Sequence, residues 1–188
     1  YTLEVYNNKG VHVSHSNCSS AFTLTAMTEN SSYRDSHISK DFSDYDEKAF
    51  LSNIIANARM TKNPAPLEAG KYTVVLGPSA VEELLLMFLW YNMDAKAIDE
   101  GRSALSKRLN ERIADEKIHL YSEPDHGQVS MSPFCPEDAM PYIGIDMIRN
   151  GKLASPWYSR FYAAKKGVRA TGKFPGNVIF KGTDKPLS

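Results

Sequence analysis

The sequence predicts an α+β fold, an antiparallel β-rich mixed sheet with a few helices. Three observations carry this reading. Short alternating or β-branched runs recur along the chain between Asn, Gly and Pro turns, while helical spacing of apolar residues is confined to a few segments. The clearest turns, Asn7-Asn8-Lys9-Gly10 and Asn150-Gly151, join neighbouring runs as hairpins and so favour antiparallel pairing. The composition, 42% hydrophobic and 23% charged, is that of an ordinary globular protein. At 188 residues the chain can bury a core without disulfides.

Taken in order, "TLEVYNNKGVHVSH" reads as two strands around Asn7–Gly10. "SAFTLTAMTE" reads as a third strand of the same meander, with Phe22, Leu24 and Ala26 on one face and Thr23 and Thr25 on the other. The polar stretch from Asn30 to Tyr45 reads as a long loop or an edge strand. Asp44 or Asp46 then caps a helix whose stripe is Phe50, Leu51, Ile54, Ile55 and Ala58, and the prolines of "KNPAP" stop it.

"KYTVVL" reads as a short buried strand, turned by Gly77-Pro78 into a helix capped by Ser79, with Glu82 and Glu83 in its first turn. "DAKAIDEGRSALSKRLNERIA" predicts mixed helix broken at Gly101, with Leu105 and Leu109 as an i,i+4 pair. Beyond it come a strand in "KIHLYSEP", two strands around Asn150-Gly151, a short helix ending at Gly167 and a strand over Asn177 to Phe180. This divides the chain into residues 1–62, strands plus one helix, and residues 63–188, a strand–helix unit followed by a β-rich half.

With 22 basic and 22 acidic residues the net charge is zero, so no global field draws in nucleic acid or an anionic membrane. The opening Tyr1-Thr2-Leu3-Glu4-Val5 reads as mid-strand sequence and not as a signal peptide. Leu84 to Tyr91, eight apolar or aromatic residues in a row, falls far short of the ~20 that cross a bilayer and reads as a buried helix. Cys18 and Cys135 form no CxxC pair and are expected as reduced thiols, in keeping with a cytoplasmic location.

Searching for chemistry returns no complete set. His12 and His15, three apart on a strand, face opposite sides. His119 lies within a strand, and His126 with Glu123 and Asp125 forms either a cation site or a solvated turn. No HExxH or HExxxH helix, GxSxG elbow, GxxxxGK[ST] loop or GxGxxG turn occurs. "KKGVRATGKF" collects cations that suit a phosphate, an acidic peptide or simply water, and Cys135 has no histidine near it in sequence to activate it. No cofactor and no catalytic residue is expected.

Several blocks, in this order, resemble the TldD/PmbA family, known as modulators of DNA gyrase and as peptidase subunits: "VYNNKGVHVSHSNCSSAFTLTAMT", "LEAGKYTVVLGPSAVEELL", "EGRSALSKRLNERIADEKIHLYSEP" and "YIGIDMIRNGKLASPWYSRFYAAKKGVRATG". The resemblance covers most of the chain. It implies part of a longer subunit, with residues 1–62 near the junction of its two halves. In the family's metal-bearing subunit the helix after the VVL strand carries HExxxH, and those three positions fall here on Leu86, Met87 and Tyr91. None can bind zinc or act as a general base. The pattern therefore resembles the PmbA/TldE-like partner that lacks the motif. "PFCPEDAMP" also departs from the family's usual "PFD.EG.P" at Cys135, Pro136 and Asp138.

The resemblance implies a metal-free subunit or fragment of a cytosolic peptidase complex, partnered by a homologous subunit as a homo- or heterodimer. It would help bind an extended peptide or unfolded segment through sheet edges. Phe88, Trp90 and Tyr91 are the candidates for a subunit contact or peptide binding, because aromatic residues are enriched at interfaces. The alternative is a self-contained interaction or scaffold module with no proteolytic role. Direct action on DNA is disfavoured by the zero net charge.

Overall fold

A computed structural model describes residues 1–126, 131–174 and 177–183. The elements β1 (Thr2–Tyr6) and β2 (His12–Ser16) form an antiparallel hairpin, with Leu3 opposite His15 and Tyr6 opposite His12. Its loop closes as the sequence predicts: Asn7 Oδ1 accepts the backbone N–H of Lys9, and Gly10 takes the positive φ of 84° that a turn of this kind requires. By contacts the chain divides into two units, Tyr1–Asn17 with Leu85–Ser188, and Cys18–Leu84.

In the Cys18–Leu84 unit, β3 (Ser20–Met27) pairs antiparallel with β4 (Ser32–Ser39), and α1 (Glu47–Met60) accompanies this ribbon. The predicted three-stranded meander is therefore two separate hairpins, and the stretch expected as loop or edge contains β4. The strand is hard to see in the sequence because its more sheltered face is polar, made of Tyr33, Asp35, His37 and Ser39, while Ile38 faces water. Polar bonds hold that face in place. Asn53 Nδ2 and Ser79 Oγ both donate to the Asp35 carboxylate, and His37 Nε2 lies 3.2 Å from Asp44. Phe22, Tyr45 and Phe50 pack ring to ring at 5.6–5.9 Å, an aromatic cluster beside the buried Ile54 and Ala58. Asp46 is the residue that caps α1, accepting from the Ala49 N–H, and Ile54 and Ala58 are its buried face.

The helix α2 (Pro78–Asn92) starts earlier than the sequence suggests, with proline at its first position, where no N–H is needed. Ser79 and the pair Glu82, Glu83 accordingly sit inside the helix, not at its cap and first turn. "KYTVVL" is not a buried strand: Lys71–Leu76 is exposed and belongs to no sheet. The reason is tertiary, since β-branched residues form a strand only where a neighbouring strand accepts their backbone.

In the other unit, α3 (Ala95–Asp99) is capped by Asp94, and the expected helix beyond Gly101 is replaced by turns with Lys107 and Asn110 at positive φ. Leu105 is buried and Leu109 is half exposed, so they form no helical pair. The strands β5 (His119–Ser122), β6 (Asp146–Arg149) and β7 (Lys152–Leu153), with β8 (Val178–Lys181), make an antiparallel sheet in the order β7-β6-β5-β8; α4 (Arg160–Lys166) precedes β8 and ends on Gly167 in the left-handed conformation. Leu120, Met147, Leu153, Met93 and Trp157 form the core with Leu89.

The Asn150-Gly151 turn joins β6 to β7 with φ of 50° and 73°, the paired positive values of the predicted two-residue hairpin. It is also gripped by the preceding irregular segment. Gly151 donates its N–H to the Ile118 carbonyl and accepts from the N–H groups of Ile113 and Ala114. A methyl group at residue 151 would stand 2.4 Å from the Ala114 carbonyl oxygen. Gly151→Ala thus combines left-handed strain with a backbone clash, and a loss of about 3 kcal/mol is expected in urea unfolding. A variant within about 0.5 kcal/mol of the parent would show that the segment 113–118 does not hold the turn this closely.

Candidate functional site

The helix α2 carries the positions singled out in the sequence. Its apolar run was expected to be buried, and only one stripe of it is. Leu89 is fully inside, and Leu85 and Phe88 pack against the core, at the i, i+3, i+4 spacing of a single helix face. Leu84, Leu86, Met87, Trp90 and Tyr91 remain exposed, with Trp90 at 62% and Tyr91 at 67%. Of the three aromatic candidates, Phe88 belongs to the core stripe, while Trp90 and Tyr91 stand on the outer surface. The Trp90 ring lies 5.1 Å from Phe174, which stands edge-on to the buried Trp157 at 5.3 Å.

The end of the helix is tied down by Asn92. Its Nδ2 donates to the Phe88 carbonyl at 3.1 Å, its Oδ1 accepts the Ala104 N–H at 3.1 Å, and its own carbonyl accepts the Ser103 hydroxyl at 2.8 Å. One residue on, Trp157 donates to the Met93 carbonyl and Ala95 donates to the Trp157 carbonyl. These bonds hold the C-terminal half of α2 in place within its unit.

Leu86 and Met87 offer no nitrogen or carboxylate donor, and Tyr91 offers only a phenol, so these three positions do not fit a zinc ion. Among the described residues no group of three or more His, Cys, Asp and Glu side chains stands close enough to hold a metal. The histidines lie apart: His12 is 3.7 Å from Glu4, His37 is beside Asp44, and His119 Nε2 is 2.7 Å from Asp146. The His126 N–H bonds the Glu123 carbonyl in its turn.

The divergent loop around Cys135 is closed by its own backbone. Cys135 donates to Met140 and accepts from Ala139, whose φ of 57° is left-handed, and the thiol is buried. The Tyr142 phenol is pushed up to about 12, first by burial and then by the neighbouring Cys135, Glu137 and Asp138. It stays neutral at physiological pH and cannot serve as a base. Glu137 pairs with Lys173 and Asp138 with Arg160, so this loop's acids are already engaged.

One further cluster was not legible in the sequence. Asp99 Oδ2 accepts the Tyr162 hydroxyl at 2.7 Å and stands 2.7 Å from Lys166 Nζ, which ties α3 to α4. The basic stretch from Lys165 therefore spends Lys166 on Asp99 and Lys173 on Glu137. No spacing rule links residue 99 to residues 162 and 166.

Residues 69–187 match the family of the PmbA/TldA metallopeptidase C-terminal domain. The chain belongs to that family. A metalloprotease from Archaeoglobus fulgidus is 27% identical over 142 residues, which cover 76% of this chain and 32% of that protein. Among solved structures, a proposed modulator of DNA gyrase from Thermotoga maritima aligns over 98% of this chain and 45% of its own, with a TM-score of 0.80 at 20% identity. Another such protein from Bacteroides thetaiotaomicron covers 95% and 42%, with a TM-score of 0.77 at 22% identity. TldE from Thermococcus kodakarensis covers 98% and 45%, with a TM-score of 0.75 at 15% identity. At these identities the structures establish the PmbA/TldA-type fold, α+β with antiparallel sheets, for this chain. The chain spans about a third to under half of the length of these relatives. No helix among the described residues is long and apolar enough to cross a membrane.

The Asp99 cluster makes a pH prediction. The bonds from Lys166 and Tyr162 lower the Asp99 carboxyl, so its contribution is complete above the ordinary carboxylate range and is lost as pH falls through the lowered value. Lys166 is raised by its bond to Asp99, and Tyr162 by burial and that same carboxylate. Their contribution is present below the ordinary lysine and phenol values, about 10, and is lost as pH rises through the raised ones. Urea midpoints of the parent and Asp99→Asn should differ near neutrality and converge only once pH has fallen below the lowered Asp99 value. Parallel pH profiles would remove the cluster from the stability of this unit.

Proposed function

We propose that this chain is a metal-free, non-catalytic subunit or part-subunit of a TldD/PmbA-type cytosolic peptidase complex. It works beside a homologous subunit and helps hold an extended peptide. The observation that carries this reading is the chemistry of α2: where the family's metal-bearing subunit has His, Glu and His, this chain has Leu86, Met87 and Tyr91. A zinc peptidase needs imidazole and carboxylate ligands to lower the pKa of a bound water, and a carboxylate to take its proton. Leucine, methionine and tyrosine do neither, so hydrolysis falls to the partner.

What α2 offers instead is exposed apolar surface, with Trp90 and Tyr91 as the aromatic pair that suits a subunit contact. The outer strand β8 of the four-stranded sheet is the kind of edge to which an extended peptide adds by main-chain hydrogen bonds, whereas β7 is already bonded on its outer side by Asn110 and Glu111.

Two measurements test the reading. A chelator-washed preparation should contain no stoichiometric zinc and show no peptidase activity by itself; a zinc ion per chain overturns the proposal. Affinity capture from native lysate should recover a homologue bearing HExxxH. Trp90→Ala should weaken that capture about tenfold, as truncation of an interface aromatic does, beyond the roughly 0.5–1.5 kcal/mol that losing its ring contact with Phe174 costs in urea unfolding. Capture that is indifferent to Trp90 would move the subunit contact off α2.

A further inference from the structure

Asn150-Gly151 is the only Asn-Gly pair in the sequence, and this dipeptide carries chemistry of its own. With no Cβ on the second residue to block the approach, its backbone nitrogen can attack the asparagine side-chain amide. A bond forms between the Gly151 nitrogen and Asn150 Cγ, the nitrogen's proton passes to solvent, and the side-chain nitrogen leaves as ammonia. Water then opens the cyclic imide. Attack at Cγ leaves an aspartate, and attack at the main-chain carbonyl leaves an isoaspartate, whose backbone runs through one extra carbon.

The fold withholds what this reaction needs. The ring closes only when the Gly151 nitrogen and Asn150 Cβ lie on the same side of the Cα–C bond, and in the left-handed conformation of this turn, with φ of 50° at Asn150, they lie nearly opposite. The nitrogen must also give up its proton, yet Gly151 is buried and donates that N–H to the Ile118 carbonyl at 2.9 Å. Turning the peptide round is opposed by the Gly151 carbonyl, which accepts from Ile113 at 2.8 Å and from Ala114 at 3.1 Å. The pairing of Arg149 with Lys152, and of Ile148 with the fully buried Leu153, opposes it as well. Asn150 itself is exposed, so burial of its side chain plays no part.

We propose that Asn150 is a self-modification site held inactive by the segment 113–118, and that it reacts only in molecules where this segment has let go of the Gly151 backbone. The extra carbon of an isoaspartate does not fit a two-residue turn that already lies against the Ala114 and Asp115 carbonyls. A hairpin that has reacted this way cannot return to its clamped form. The site thus turns a passing opening of β6–β7 into a permanent covalent change, and it does so whatever the outcome of the zinc and lysate measurements above.

Peptide mapping that separates asparagine, aspartate and isoaspartate at residue 150 tests this on the intact chain in mildly alkaline buffer. In denaturing urea the two products should accumulate steadily. In native buffer they should form at least about tenfold more slowly, because a core hairpin opens rarely. In urea below the unfolding transition, conversion should rise in proportion to hydrogen exchange at the Gly151 amide, since one opening releases both. A smaller slowing in native buffer overturns the proposal, as does a conversion rate that stays constant while Gly151 exchange accelerates. An unfolded chain that fails to convert overturns it too, because residue 150 would then lack the reactivity that the segment is said to restrain.

Discussion

The larger unit depends on the packing of one stripe of α2 against the sheet. Leu85, Phe88 and Leu89 reach the layer formed by Leu120, Met147 and Leu153, and Met93 closes the end. At roughly 25 cal/mol per Å² of apolar surface removed from water, this contact dominates what local hydrogen bonds can add. A helix can give only one side to a sheet. With apolar residues nearly all round, α2 therefore leaves Leu86, Met87, Trp90 and Tyr91 in water, and its outward surface follows from the geometry of a helix on a sheet as much as from any choice of residues.

Around that contact the rest of the unit is fastened by short-range devices. Asn92 binds the end of the helix to the Ser103–Ala104 turn, Gly151 lets the β6–β7 hairpin fit under the carbonyls of Ala114 and Asp115, and Asp99 joins α3 to α4. Each of these depends on one particular residue type. Gly151 is needed for its missing Cβ, and Asn92 for having both a donor and an acceptor on one short side chain.

The hairpins at Asn7–Gly10 and Asn150-Gly151, the cap at Asp46 and the stop at Gly167 were legible because each is local: the residue that dictates the backbone is the one that adopts it. The α+β class follows from the same signals. Strand β4 was not legible, because Asp35 and His37 face the sheltered side and break the apolar alternation that marks a strand. "KYTVVL" misled in the opposite direction, since β propensity describes what a segment does once a neighbour is present. At the candidate site, the three α2 positions could be read from the sequence, but the split between Phe88 inside and Trp90 and Tyr91 outside required the helix phase against the core. The Asp99–Tyr162–Lys166 cluster spans more than sixty residues, and no sequence period connects its members.

The three bonds of Asn92 have a kinetic side. They fix the last turn of α2, and with it the backbone that carries Trp90 and Tyr91, before any partner arrives. A surface that is already ordered gives up little conformational entropy on docking, so more of each contact survives as net affinity. For such a surface, changes at the contact act mainly on how long a complex lasts and much less on how fast it forms. If α2 docks a subunit as proposed, the residence time of that partner would be set in part by an asparagine that the partner need never touch.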